Sequence, residues 1–221
     1  MLRRMRRLAV LACLGLACTL RGDGERVVEV RELPAFSVIE VFDGFVTTVL
    51  VDAALDGADP VALSVSADAN AMRRIFTELH GEGTLSVAVD PNRLTRLSLT
   101  PEIEVSVPAL RRAYAADTTV LEVIGAQGVL SLEALGSATL DVAGTGATVM
   151  ATVREDATLI LAGDGPTLTL EVYDAATVDA RGFHAAEVVV YARGVGEVRV
   201  CASERLTIRG VGAEFVTRAC R

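Results

Sequence analysis

The segment Ala138–Gly165 writes one pattern twice. Ala-Thr-Leu-x-(Val/Leu)-Ala-Gly-x-Gly begins at Ala138 and returns at Ala157, 19 residues on. A unit this short cannot bury an apolar face alone, so a fixed interval of this kind implies stacked repeats that share one core. The pattern extends in both directions. "DTTVLEV" from Asp117, "GSATLDV" from Gly136, "EDATLIL" from Glu155, "DAATVDA" from Asp174 and "GVGEVRV" from Gly194 start 19, 19, 19 and 20 residues apart. A degenerate copy, "GVGAEFV", follows at Gly210 after 16. Between these runs lies a second series: "VLSLEA" from Val129, "VMATV" from Val149, "LTLEV" from Leu168, "VVVYA" from Val188 and "LTIRG" from Leu206.

Alternation within each run assigns its faces. In the first series Leu121/Val123, Leu140/Val142, Leu159/Leu161, Val178/Ala180 and Val198/Val200 point one way. Glu122, Asp141, Ile160, Asp179 and Arg199 point the other way. In the second series Leu130/Leu132, Val149/Ala151, Leu168/Leu170, Val188/Val190 and Leu206/Ile208 form the inward set. Each period is thus two half-buried strands. The turns between them carry Gly144, Gly146, Gly163, Gly165, Gly194, Gly196, Gly210 and Gly212, read as suppliers of the positive φ that tight turns need.

Two strands per period fit either an antiparallel meander or the coils of a β-solenoid. A solenoid places equivalent residues about 4.8 Å apart along its axis. It therefore favours like residues in columns, and Thr139/Thr158/Thr177 and Ala138/Ala157/Ala176 are such columns. Cys201 and Cys220 stand one repeat apart, on adjacent coils of a solenoid, within the separation that a disulfide accepts. The expected fold is all-β: a solenoid of about 19-residue two-strand coils over residues 110–221, preceded by a β-rich cap over 34–109. In the cap, Phe36–Val51 alternates as strands around an Asp43-Gly44 turn. Asp68–Leu79 reads as a short helix with Met72, Ile75, Phe76 and Leu79 inward, and "GTLSVAV" and "EIEVSV" are further strands.

The strand–hairpin start, the short helix, "GTLSVAV", "VSVPAL" and the Gly-x-Gly punctuation together resemble the auto-transporter adhesin head (head GIN) domain of bacterial envelope proteins. The resemblance covers Pro34 to Thr217. It implies a right-handed β-helix, a role in adhesion and no catalytic residues. Ala-Gly-x-Gly and Arg-Gly-Val-Gly here replace the family's Gly-Ser-Gly-like turns.

The first residues read differently. Arg3, Arg4, Arg6 and Arg7 precede the apolar stretch Leu8–Ala17, too short for a bilayer core that needs about 20 residues. A basic head and a short apolar run are a secretion signal over 1–17. It closes on Leu-Gly-Leu-Ala-Cys, a lipobox-like end that makes Cys18 a candidate lipidation site and residues 18–33 a tether. The implied location is the cell envelope, in the outer membrane or periplasm, with the membrane as partner through the lipid. Four of the 21 basic residues and none of the 29 acids lie in residues 1–17, so the remainder carries a net charge near −12. Such a surface repels phosphate backbones and excludes nucleic acid as a partner.

Chemistry is sparse. His80 and His184 are the two histidines, both set in polar turns, and neither stands in a Ser-His-Asp or zinc-ligand pattern. Glu122, Asp141 and Asp179 form an outward acidic column interrupted by Ile160, a weak calcium candidate. Paired acids also occur in β-helical polysaccharide hydrolases, but sugar grooves use aromatic platforms. This chain has no Trp, and its only tyrosines are Tyr114, Tyr173 and Tyr191. Charge at Asp141 and Asp179 breaks the threonine ladder that ice binding would require. The expected function is a non-catalytic surface-interaction or adhesion module with a surface protein or glycan as ligand and no cofactor. A polysaccharide-acting enzyme and a purely structural envelope protein are the alternatives.

Overall fold

The computed structural model describes residues 19–220 except 82, 93 and 94. The signal segment 1–17 and Cys18 lie outside the described residues. The remainder is a two-sheet β-solenoid with one continuous apolar core running its full length.

The repeat region stacks in the expected register. In the first sheet Val120–Ala126, Thr139–Gly144, the start of Thr158–Asp174, the start of Thr177–Gly194 and the start of Val198–Arg209 run parallel as neighbours. In the second sheet Arg112–Ala115, Val129–Ala134, Thr148–Val153 and the later halves of the same three long strands do likewise. Thr139 sits beside Thr158, and Thr158 beside Thr177. Leu140 stacks on Leu159, then Val178, then Val198, all fully buried. These are parallel neighbours with no strand between them, which a meander does not allow. Cysteines introduced at Thr139 and Thr158 are therefore expected to cross-link readily under mild oxidation. Two free thiols at these positions, assayed on the folded protein, would contradict the register.

From Thr158 onward each strand rounds one corner without interruption, so the expected pair of strands per period becomes one bent strand of 12–18 residues. The single 20-residue interval has a local cause. Ile160 pairs with Asp179 but Ala162 pairs with Gly182, so the extra residue is absorbed as a bulge at the corner, where Phe183 turns inward.

Most of the turn glycines serve close approach, and this corrects the positive-φ reading. Among the eight, only Gly146, Gly163 and Gly210 have positive φ. At Gly144, Gly165, Gly194, Gly196 and Gly212 a Cβ would collide with a carbonyl oxygen of the preceding coil. The positive-φ corner position is instead filled largely by acids, Asp43, Asp117, Glu155 and Asp174, with Gly136 between them. Their carboxylates stitch coils together. Asp117 accepts from the Asp43 amide at 3.2 Å, Asp174 from the Glu155 amide at 3.3 Å, and Asp43 from the Val89 amide at 2.8 Å.

Three expectations for the N-terminal third are corrected. Val38–Val41 and Val46–Val51 are not a hairpin: they lie in opposite sheets across the Asp43-Gly44 corner and form a coil of their own. That coil is wedged between Thr84–Val89/Glu102–Val107 on one side and Arg112–Ala115/Val120–Ala126 on the other. Asp68–Leu79 is not a helix but a 3-10 turn at Met72–Arg74 followed by strand Ile75–His80, which leaves Phe76 exposed. Most of residues 18–33 is not a free tether. Leu20–Arg21 pairs with Thr95–Arg96, and Arg26–Leu33 pairs antiparallel with Val61–Asp68, because its alternating valines fit a sheet surface. The end of the core beneath these strands is closed by Arg31. Its guanidinium donates to the Ile75 carbonyl at 2.9 Å and to Thr77 Oγ1 at 3.0 Å, and pairs with Glu29 at 2.7 Å.

Candidate interaction surface

The outward face of the first sheet carries the threonine ladder and the acidic column. Glu104, Thr48, Glu122, Asp141, Ile160, Asp179 and Arg199 stand in consecutive register. Glu122 and Asp141 are direct neighbours. Burial, and then the charge of Glu122, push the Asp141 carboxyl up. Asp179 stands two strands further on and is neutralised by Arg181, whose guanidinium bonds both carboxylate oxygens at 2.9 and 2.7 Å. Among the described residues no group of three His, Cys, Asp or Glu is arranged to hold a metal ion.

The histidines are far apart. His80 ends the edge strand of the second sheet, 4.0 Å from Glu78. His184 lies at the bulged corner, with Nδ1 3.4 Å from Cys201 Sγ. Cys201 and Cys220 are bonded, with Cα atoms 4.6 Å apart, and tie the last turn of chain to the coil beneath it.

The second sheet's outward face is chemically different, and all three tyrosines lie on it. Glu40, Tyr114, Glu133, Thr152, Glu171, Tyr191 and Arg209 form one column. Tyr173 lies in the next column, stacked against Arg193. Tyr173 is sandwiched by two arginines, Arg154 at 4.6 Å and Arg193 at 5.6 Å from its ring centroid, and its hydroxyl donates to Glu171 at 2.9 Å. Arg209 covers Tyr191 at 5.8 Å. Tyr114 packs on Phe42 at 5.3 Å. Burial, and then Glu133, raise its hydroxyl above the ordinary tyrosine range. Met150 and Val129 add exposed apolar area to the same face. Rigid strands thus present Tyr and Arg, the residue types that dominate binding hot spots, with side chains fixed by mutual stacking. Counting three tyrosines in the sequence conceals this. Extending the 19-residue alignment to the outward positions of the second series finds it, since Tyr114, Glu133, Thr152 and Glu171 keep the interval and Tyr191 follows after the single 20-residue step.

The chain belongs to the family described as "Putative auto-transporter adhesin, head GIN domain", whose model matches residues 35–214. The fold is shared with solved structures of low identity. A "putative adhesin" of Bacteroides fragilis is 15% identical with a TM-score of 0.73, over 87% of this chain and 97% of the other. A "putative adhesin" of Parabacteroides merdae is 13% identical with a TM-score of 0.63, over 90% and 97%. A "putative lipid binding protein" of Parabacteroides distasonis is 14% identical with a TM-score of 0.62, over 87% and 98%. No curated protein matches the chain. Family membership supports an adhesion or surface-interaction role at the cell surface or envelope. Among the described residues no helix is long and apolar enough to cross a membrane.

Proposed function

We propose that this chain is a non-catalytic envelope lipoprotein that binds a surface protein or glycan through the outward face of its second sheet. Residues 1–17 direct export and Cys18 carries the lipid. The observation that carries the binding assignment is the Tyr/Arg cluster of Arg154, Tyr173, Arg193, Tyr191 and Arg209. Its guanidinium groups cap the tyrosine rings, so the face suits acidic groups on a partner better than bare ring-on-sugar stacking.

The test is a binding screen of the protein against bacterial and host cell surfaces and a glycan array. It is repeated with Tyr173→Ala and with Arg154→Ala plus Arg193→Ala. Loss of a hot-spot side chain costs about 2 kcal/mol, or roughly 30-fold in affinity. Thr158→Ala on the opposite sheet is expected to bind as the unmodified protein does. Equal binding by all variants would remove the face from the interaction. Palmitate labelling that persists in Cys18→Ser would remove the anchor.

A further inference from the structure

The two ends of the solenoid are finished differently. At the C-terminal end the last strand, Val216–Arg218, has three residues and is followed directly by the disulfide. At the N-terminal end the last strand of the first sheet, Arg26–Leu33, has eight residues and a strand partner on one side only, Val61–Asp68. Its free edge therefore offers a row of backbone donors and acceptors. Proteins that keep such an edge single usually shorten it, bulge it or point charge outward from it. Here the charges Glu29 and Arg31 are engaged with each other and, through Arg31, with the second sheet. Of the outward positions Arg26, Val28, Val30 and Glu32, the central two are apolar and 63% and 64% exposed, while Arg26 is paired with Glu102 at 2.9 Å and leaves a charge only at each end of the row.

The strand reads Arg-Val-Val-Glu-Val-Arg-Glu-Leu, and antiparallel to itself about Glu29 it is self-complementary. Arg26 then faces Glu32 of the second copy, and Val28 faces Val30 of the second copy. The two-fold axis repeats both pairs. Both glutamates that meet at the axis already carry Arg31 as counter-charge. We propose that two copies of this chain join by antiparallel pairing of Arg26–Leu33, extending the first sheet from one copy into the other. The contact is isologous, so it closes on itself and consumes the one long open edge that the first sheet has among the described residues, without leading to fibres. Cross-strand valine pairs and opposite charges are the contacts that stabilise such a pairing.

The experiment uses the full chain with Cys13→Ser and Cys18→Ser, which leaves Cys201 and Cys220, bonded to each other, as the other cysteines. Light scattering during size exclusion is expected to give twice the single-chain mass. Val28→Lys with Val30→Lys is expected to halve that mass with circular dichroism and melting unchanged, since both side chains are outward. Glu29→Cys stands opposite itself across the axis and is expected to form a covalent dimer on oxidation, well ahead of Val28→Cys or Val30→Cys. A single-chain mass for the unmodified edge at every concentration overturns the proposal. So does a dimer that survives the two lysines, and so does a bridge that forms best at position 28 or 30.

Discussion

Leu140→Asp is expected to abolish folding, or to cost about 4 kcal/mol or more where folding survives, measured as the loss of urea midpoint at constant slope. Leu140 is fully buried between Leu121 and Leu159, and the stacked coils leave no route by which a carboxylate there reaches water or a cation. The neighbouring substitution, Asp141→Leu, is expected to have the opposite sign. Asp141 is half-buried on the outward face beside Glu122, and both burial and that like charge hold its carboxyl above the ordinary range. Removing the charge relieves both penalties, so stability is expected to stay within about 0.5 kcal/mol or rise. Comparable losses from both substitutions would mean that the strand does not present alternate residues to core and solvent.

The second large effect is expected at Asp68, whose side chain is fully buried and has three backbone amides as partners. It accepts from Gly24 at 2.8 Å, Ser98 at 2.9 Å and Leu99 at 3.1 Å. These amides belong to two segments, the N-terminal lead and the loop before Glu102, so one carboxylate pins both to the first sheet. Asp68→Asn replaces an acceptor oxygen with a donor that faces other donors, and is expected to cost about 2–3 kcal/mol near neutral pH. Burial pushes the Asp68 carboxyl up, but the amides of Leu99, Gly24 and Ser98 outweigh it and leave it below its ordinary value of 3.8. A carboxyl lowered by folding contributes stability that is complete above the unfolded value. That contribution is lost as pH falls from there through the lowered folded value. The unmodified protein is therefore expected to weaken on acidification below about pH 4 more steeply than Asp68→Asn. Parallel acid limbs for the two proteins would show that the carboxylate carries no such load.

The repeat region was legible because each coil pairs with the coil next to it in sequence. Leu140, Leu159 and Val178 announce their contact by their spacing. The N-terminal third lacks that property. Val38 pairs with Thr84 and Arg112, and Val46 pairs with Glu102 and Val120, so neither strand carries a local sign of its neighbours. Ile75–His80 was misread for a different reason. Met72, Ile75, Phe76 and Leu79 satisfy the helical spacing, yet Ile75, Thr77 and Leu79 satisfy the strand alternation equally well. The sheet prevailed because Thr84–Val89 offers this segment a full-length antiparallel partner. The Tyr/Arg face lay in outward positions, which core-seeking periodicity passes over. Nothing in the sequence singles out Asp68, the first residue of the segment that reads as a short helix, since its amide partners come from segments on both sides of it.

The wedged coil at residues 38–51 sets the order in which the molecule can be assembled. This coil comes early in the chain, yet among the described residues its neighbours on both sides come later. Val38–Val41 has no strand to lie against before Thr84–Val89, and Val46–Val51 none before Glu102–Val107. The chain must therefore close one long loop before this coil gains its first pairing, and a second before it is covered on both sides. Residues 129–218 face no such delay, because every coil there arrives directly after the surface that receives it. Assembly thus starts slowly at the beginning of the chain and then runs coil by coil to the end, like a zip whose first teeth must be set by hand.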